Sequence, residues 1–317
     1  MNLIVDMVFG SHLYGTASEK SDQDFKGVFY PEWRDVLLQR IPKSIHHSTK
    51  KDSESKNSPD DVESEYYSLN YFLHLACEGE TVAFDMLHAP PTFWRTATPI
   101  WEELVSLRER FYTRSLKAFV GYARRQAAKY GVKGSRLSEA RVAREFLASC
   151  KLQDRLCDVW DQLPTGEHIH KSTNENGRLW DVCGKLMTER SYCSHYLPML
   201  DHFIERYGDR ARLAESNNGI DWKAISHAFR AAYQVKHILT AQTYTYPLPE
   251  VEFLKQVKGG TMHFASEVAP KLDTLMDELE ALSQTSTLPN KVDRVWWDEW
   301  LLAKLAKQPT PQGVSGE

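Results

Sequence analysis

The sequence predicts an α+β protein: a small mixed-sheet core at the N-terminus followed by a larger all-helical domain. Three observations lead there. Short apolar runs with β-branched and aromatic members occur before Leu69. From Ser68, a plausible N-cap, apolar residues recur at helical spacing, broken by Gly, Pro or Asn. The chain has 317 residues, 42% hydrophobic and 26% charged, enough for one large domain or two ordinary ones. That composition excludes a disordered or collagen-like chain.

Residues 3–9 (LIVDMVF) read as a strand ending at Gly10, and 24–30 (DFKGVFY) as a second strand stopped by Pro31. Residues 33–40 suit a short helix. Lys43 to Asp61 is polar, and 48–59 reads as a mobile loop. Residues 61–67 (DVESEYY) fit a third strand. Helical patterns follow at 69–79, 81–88, 99–109, 114–130, 137–162, 176–187, 192–207, 221–242, 248–258, 261–283 and 292–306. There is no internal repeat. The expected domains are an α/β core over 1–90, a helical domain over 91–307 and a disordered tail over 308–317, with the junction near Pro90-Pro91.

No apolar run reaches the ~18 residues of a membrane span. The N-terminus MNLIVDMVFG lacks a basic region and carries Asp6 in its apolar run, which argues against a secretory signal. Five cysteines without a C-x-x-C pair fit free thiols and a cytoplasmic location. Net charge is −4, unevenly spread. Residues 1–107 hold 9 Lys/Arg and 17 Asp/Glu, whereas 108–155 hold 13 and 4. The basic segment is either a solvated helix face or a wall that neutralises phosphates.

The chemistry concentrates in Gly10 to Gly27, GSHLYGTASEKSDQDFKG. A strand ends in Gly10-Ser11, and Asp22-Gln23-Asp24 opens the next. Residues i and i+2 of a strand share a face, so Asp22 and Asp24 present paired carboxylates. Such a pair repels until a divalent cation relieves it, and hard oxygen ligands with open positions suit Mg²⁺ held jointly with phosphates. A strand-Gly-Ser turn entering a helix points backbone N–H groups outward as a phosphate cradle, and Ser11 adds a hydroxyl.

These residues resemble the signature of the DNA polymerase β-like nucleotidyltransferase superfamily. With Tyr14-Gly15 and Ser21 they are similar to the YcgL-like predicted nucleotidyltransferases of bacteria and bacteriophages. The likeness continues into Leu69–Pro90, Tyr130–Leu137 (YGVKGSRL) and Asp221–Arg230 (DWKAISHAFR). The resemblance implies a two-metal transfer of a nucleoside monophosphate from an NTP to an acceptor hydroxyl. Two Mg²⁺ ions, with Mn²⁺ as a substitute, would sit on Asp22, Asp24 and a third acid. Glu63 matches that acid by its place six residues before Leu69, with Asp61 and Glu65 as alternatives on the same strand. Gly10 and Ser11 would grip the β- and γ-phosphates. The acceptor stays open among RNA, protein and small molecules. The basic segment favours an anionic acceptor such as RNA, and the oligomeric state stays open too.

Lys133 and Arg136 are candidate cations for the triphosphate or a polyanionic acceptor, against a solvated helix cap. Two other readings stand beside the enzyme. One is a decayed nucleotide-binding or antitoxin-like module. The other is a ribonuclease of HEPN type, which Arg230 and His237 on one helix face resemble. The histidines and cysteines suggest no zinc cage. Trp296, Trp300 and Ala303 predict a core-docking stripe on the last helix.

Overall fold

The computed structural model describes residues 1–19, 21–49, 60–114, 134–166, 168–175, 177–205 and 217–306. They form a mixed α/β structure with an N-terminal five-stranded sheet followed by a mainly helical region. The chain divides into two compact units. One comprises Met1–Ala123, Ser226–Gly259 and Leu275–Glu317, the other Arg124–Ile225 and Gly260–Thr274. The division therefore does not follow a single boundary at Pro90-Pro91. Within the first unit Asp85, a buried charge, takes its partners Arg230, Gln234 and Tyr246 from the returning segment Ser226–Gly259.

In the first unit the elements run β1 (Asn2–Val8), α1 (Gly10–Leu13), β2 (Gln23–Tyr30), α2 (Trp33–Leu37), β3 (Ser44–Ser48) and β4 (Val62–Ser68). Then come α3 (Leu69–Glu78), α4 (Thr81–Leu87), β5 (Trp94–Ala97) and α5 (Pro99–Ser106). The sheet order is β3-β4-β2-β1-β5. Only β2 and β4 pair in parallel; the other neighbours are antiparallel. β1 runs between β2 and β5 and is largely apolar, and its Ile4, Val5 and Met7 are fully buried. Burying each such side chain contributes about 1.5–3 kcal/mol. Phe72 of α3 meets Trp101 of α5 edge-on at 5.5 Å within the core.

Two strands lie where none was predicted. β3 falls in the segment read as polar loop, and β5 lies between the Pro90-Pro91 and Pro99 breaks. Residues 50–59 of the expected mobile loop, most of the 114–130 helix and the 308–317 tail lie outside the described residues.

The second unit is not all-helical. The helix Gly134–Ser149 accompanies a three-stranded antiparallel sheet of β6 (Ile169–Asn174), β7 (Gly177–Val182) and β8 (Lys185–Thr188). This sheet replaces the predicted 176–187 helix. Trp180, Ile169, Val182 and Met187 are buried in one cluster with Ala140, Ala143 and Leu147. In the last helix, Arg294–Leu305, Trp297, Trp300 and Leu305 are buried, so Trp300 of the predicted stripe docks in the core whereas Trp296 is half-buried and Ala303 exposed. Trp296 instead lies under the Arg110 guanidinium, 4.0 Å from its ring centre.

Candidate active site

The site is built where β1 leaves the sheet. Phe9 N–H donates to the Asp24 carbonyl oxygen (2.8 Å), extending the β1–β2 pairing by one residue. Gly10 then turns with φ +61 and starts α1. A Cβ on Gly10 would overlap Asp24 Oδ2 and lie 2.7 Å from Asp24 Cγ. Glycine is thus required twice, for the left-handed backbone and for the carboxylate seated against it. Ser11 follows, and its Oγ is buried with no hydrogen-bond partner. An orphaned buried hydroxyl costs about 1–3 kcal/mol, which a ligand oxygen at this turn would recover.

Asp24 lies in β2, while Asp22 stands one residue before the strand begins. The Asp-x-Asp pair therefore straddles the strand end. In the parallel ladder Asp24 is level with Glu63, and Lys26 with Glu65. Residues level across a ladder share a sheet face. Asp61 precedes β4 and contributes its carbonyl oxygen to Gln23 N–H (3.0 Å).

Of the two Glu rungs, one is already neutralised. Glu65 Oε2 accepts from Lys26 Nζ at 2.7 Å and from the Tyr67 hydroxyl at 2.6 Å. Burial pushes the Glu65 carboxyl up, but Lys26 and Tyr67 outweigh it and hold the group below the usual carboxylate range. Among the described residues no cation pairs with Glu63.

Among the described residues no three His, Cys, Asp or Glu side chains close into a metal cage. Asp22, Asp24 and Glu63 are hard oxygen donors beside a turn with an orphaned hydroxyl. That donor set fits Mg²⁺, which takes one or two carboxylates and completes its shell with water and substrate phosphates.

Lys133 and the side chain of Arg136 lie outside the described residues; the backbone of Arg136 belongs to the helix Gly134–Ser149. Arg230 and His237 share one face of the helix Trp222–Ala241, but Arg230 is buried along it. Arg230 is 8% exposed and pairs with Asp85, and His237 Nε2 lies 3.1 Å from Glu250 Oε2. The ribonuclease expectation fails on that burial.

Sequence reasoning did not identify the structural role of Asp85. It is 1% exposed and accepts from Tyr14, Arg230, Gln234 and Tyr246 at 2.5–2.8 Å. The signal was present: a charge inside the apolar helix TVAFDML needs buried partners.

Residues 1–148 match RlaP, the RNA repair pathway DNA polymerase beta family. An uncharacterized 38.9 kDa protein of Enterobacteria phage T4, from the nrdC-mobD intergenic region, is 36% identical over 326 positions. That alignment covers 95% of this chain and 96% of the phage protein. The chain belongs to the DNA polymerase β-like family. No solved structure matches it significantly. The polymerase β-like match includes β1 to β5 and so contains the Gly-Ser turn, Asp22, Asp24, Asp61, Glu63, Glu65 and Asp85.

Proposed function

We propose that this polymerase β-like protein is a nucleotidyltransferase that joins a nucleoside monophosphate from an NTP to an acceptor hydroxyl on RNA. The observation that carries the reading is the Asp24–Glu63 rung, with the Asp24 carboxylate seated against Gly10. The matched family's description as an RNA repair pathway family and the basic segment 108–155 support RNA as the acceptor. Tyr14-Gly15 and Ser21 support the YcgL-like group within the family. A decayed site would have lost an acid or the glycine, and both are in place.

In this reading Asp22, Asp24 and Glu63 would hold two Mg²⁺ ions, with Mn²⁺ as a substitute. When bound, the metal neutralises triphosphate charge and lowers the pKa of the acceptor hydroxyl. The Gly10 turn and the Ser11 hydroxyl grip the β- and γ-phosphates, which orients the α-phosphorus. Glu63 accepts the acceptor's proton, the role its lack of a paired cation leaves open. Lys133 and Arg136 add positive charge for the triphosphate or the RNA.

The test is incubation of the purified protein with each α-labelled NTP, Mg²⁺ and RNA bearing either a free or a blocked 3′-hydroxyl. Label should enter the free-ended RNA with release of pyrophosphate, and Asp24→Asn should abolish it. Label entering protein or small molecules instead would overturn the RNA acceptor. Tight NTP binding without transfer to any fraction would favour the decayed module.

A further inference from the structure

Two sequence segments with no role so far are Leu69–Pro90 and Asp221–Arg230, and the former meets Arg230 of the latter inside the first unit. Asp85 of the former and Arg230 of the latter are 145 residues apart in sequence and 2.7 Å apart in space. Their common neighbour is Tyr14. The Tyr14 hydroxyl donates to Asp85 Oδ2 at 2.8 Å, and the Arg230 guanidinium carbon lies 3.8 Å from the Tyr14 ring centre. Tyr14 closes α1, its N–H donating to the Gly10 carbonyl oxygen at 3.1 Å. Its ring meets Phe9 edge-on at 5.7 Å, and Phe9 is the residue bonded to the Asp24 backbone. Both ends of the Gly10-Ser11 turn are therefore gripped by aromatic residues, one of them anchored to a buried ion pair.

The next residue is held from the same side. Gly15 has φ +70, and a Cβ there would lie 2.8 Å from Pro247. The Tyr14-Gly15 pair thus reads as a docking point for the returning segment Ser226–Gly259.

We propose that Asp85 and Arg230 are positioning residues for NTP binding, acting through Tyr14 to fix the Gly10-Ser11 turn. This inference rests on the reading of that turn as the phosphate grip. Neither residue touches the substrate. Their contribution is to hold the turn so that its N–H groups and the Ser11 hydroxyl converge before the triphosphate arrives. A buried ion pair is a costly way to gain stability alone, because replacing such a pair by apolar groups is often neutral.

The deciding variant is Tyr14→Phe, which keeps the ring and removes only the hydroxyl. KM for NTP, and Kd for NTP in Mg²⁺, should rise about tenfold, with kcat changed less than about twofold. Amide hydrogen exchange at Gly10 to Tyr14 should quicken without a general rise elsewhere. Arg230→Lys keeps the charge and should give a smaller rise in KM than Asp85→Asn. Because Asp85→Asn leaves the Arg230 guanidinium buried without its carboxylate and so endangers folding, the proposal is judged on Tyr14→Phe. The control is Ser226→Ala, which removes an equally buried bond (Ser226 Oγ to the Leu254 carbonyl oxygen, 2.9 Å) on the same helix as Arg230. It should lower Tm and leave KM unchanged. An unchanged KM in Tyr14→Phe, or an equal rise in Ser226→Ala, would overturn the positioning role while the wild type still bound NTP. A wild-type protein that binds no NTP would overturn the site reading and this inference together.

Discussion

Two neighbouring rungs of the β2–β4 ladder lie on one face and carry opposite arrangements. At one, Asp24 is level with Glu63; at the next, Lys26 is level with Glu65. Two like charges level across adjacent strands repel, and solvent screens that repulsion at half-exposed positions. Lys26 and Glu65 are 21% and 25% exposed, so their attraction is screened to about 1 kcal/mol. One rung thus sets like charges level with each other and its neighbour sets opposite charges level. The difference distinguishes Glu65, which already serves the sheet, from Glu63, which the proposed function assigns to an external cation, though both are Glu on the same strand.

The largest expected effect comes from relieving the repulsion. Asp24→Asn should lower turnover by roughly a thousandfold or more, while Tm stays level or rises slightly. Tm by calorimetry and transfer rate on one preparation check this. A fall in Tm with full activity would assign Asp24 to the scaffold.

Next in size is Gly10→Ala, which leaves both rungs intact but drives a Cβ into the Asp24 carboxylate. Displacing that group by about 1 Å should cost roughly a hundredfold in rate. The left-handed backbone adds about 1–2 kcal/mol of destabilisation. A rate unchanged in the folded variant would mean that the seating of Asp24 on Gly10 has no catalytic consequence.

The smallest effect sharpens the contrast with the closed interior. His88 Nδ1 donates to the Phe84 carbonyl oxygen (2.7 Å), so Nε2 accepts from the Tyr112 hydroxyl (2.8 Å). Burial drives the His88 pKa down to about 3, from 6.5. Between those values the unfolded chain holds a proton that the native protein does not, so stability rises with pH through that window. It should fall by up to about 1.4 kcal/mol per pH unit as the solution is acidified from 6.5 towards 3. Denaturant unfolding across that range should show a flatter slope in His88→Asn than in wild type. Equal slopes would place the acid sensitivity elsewhere.

The sequence made some of this legible. β1, β2 and β4 were readable because each carries β-branched or aromatic residues bounded by Gly, Pro or polar residues. β3, SIHHS, was not, because an edge strand of polar residues has no apolar period to detect. β7 and most of β8 were read as a helix over 176–187 because the turn between them depends on backbone conformation: Cys183 and Gly184 both have positive φ. At the site, Gly10, Ser11, Asp22 and Asp24 are local in sequence and could be grouped by spacing. Choosing among Asp61, Glu63 and Glu65 needed the strand register, which depends on tertiary pairing. The Asp85–Arg230 contact was hidden for the same reason, since no local pattern relates positions 145 apart.

The central claim is that Glu63, and not Glu65, is the third acid. It is tested most directly by single-turnover transfer rates of Glu63→Gln and Glu65→Gln, with NTP affinity in Mg²⁺ measured alongside. The account predicts that Glu63→Gln binds NTP nearly normally and loses the transfer step by a factor of roughly a hundred or more. Glu65→Gln should keep its rate and lose about 1 kcal/mol of stability. A normal rate in Glu63→Gln beside a dead, folded Glu65→Gln would contradict it.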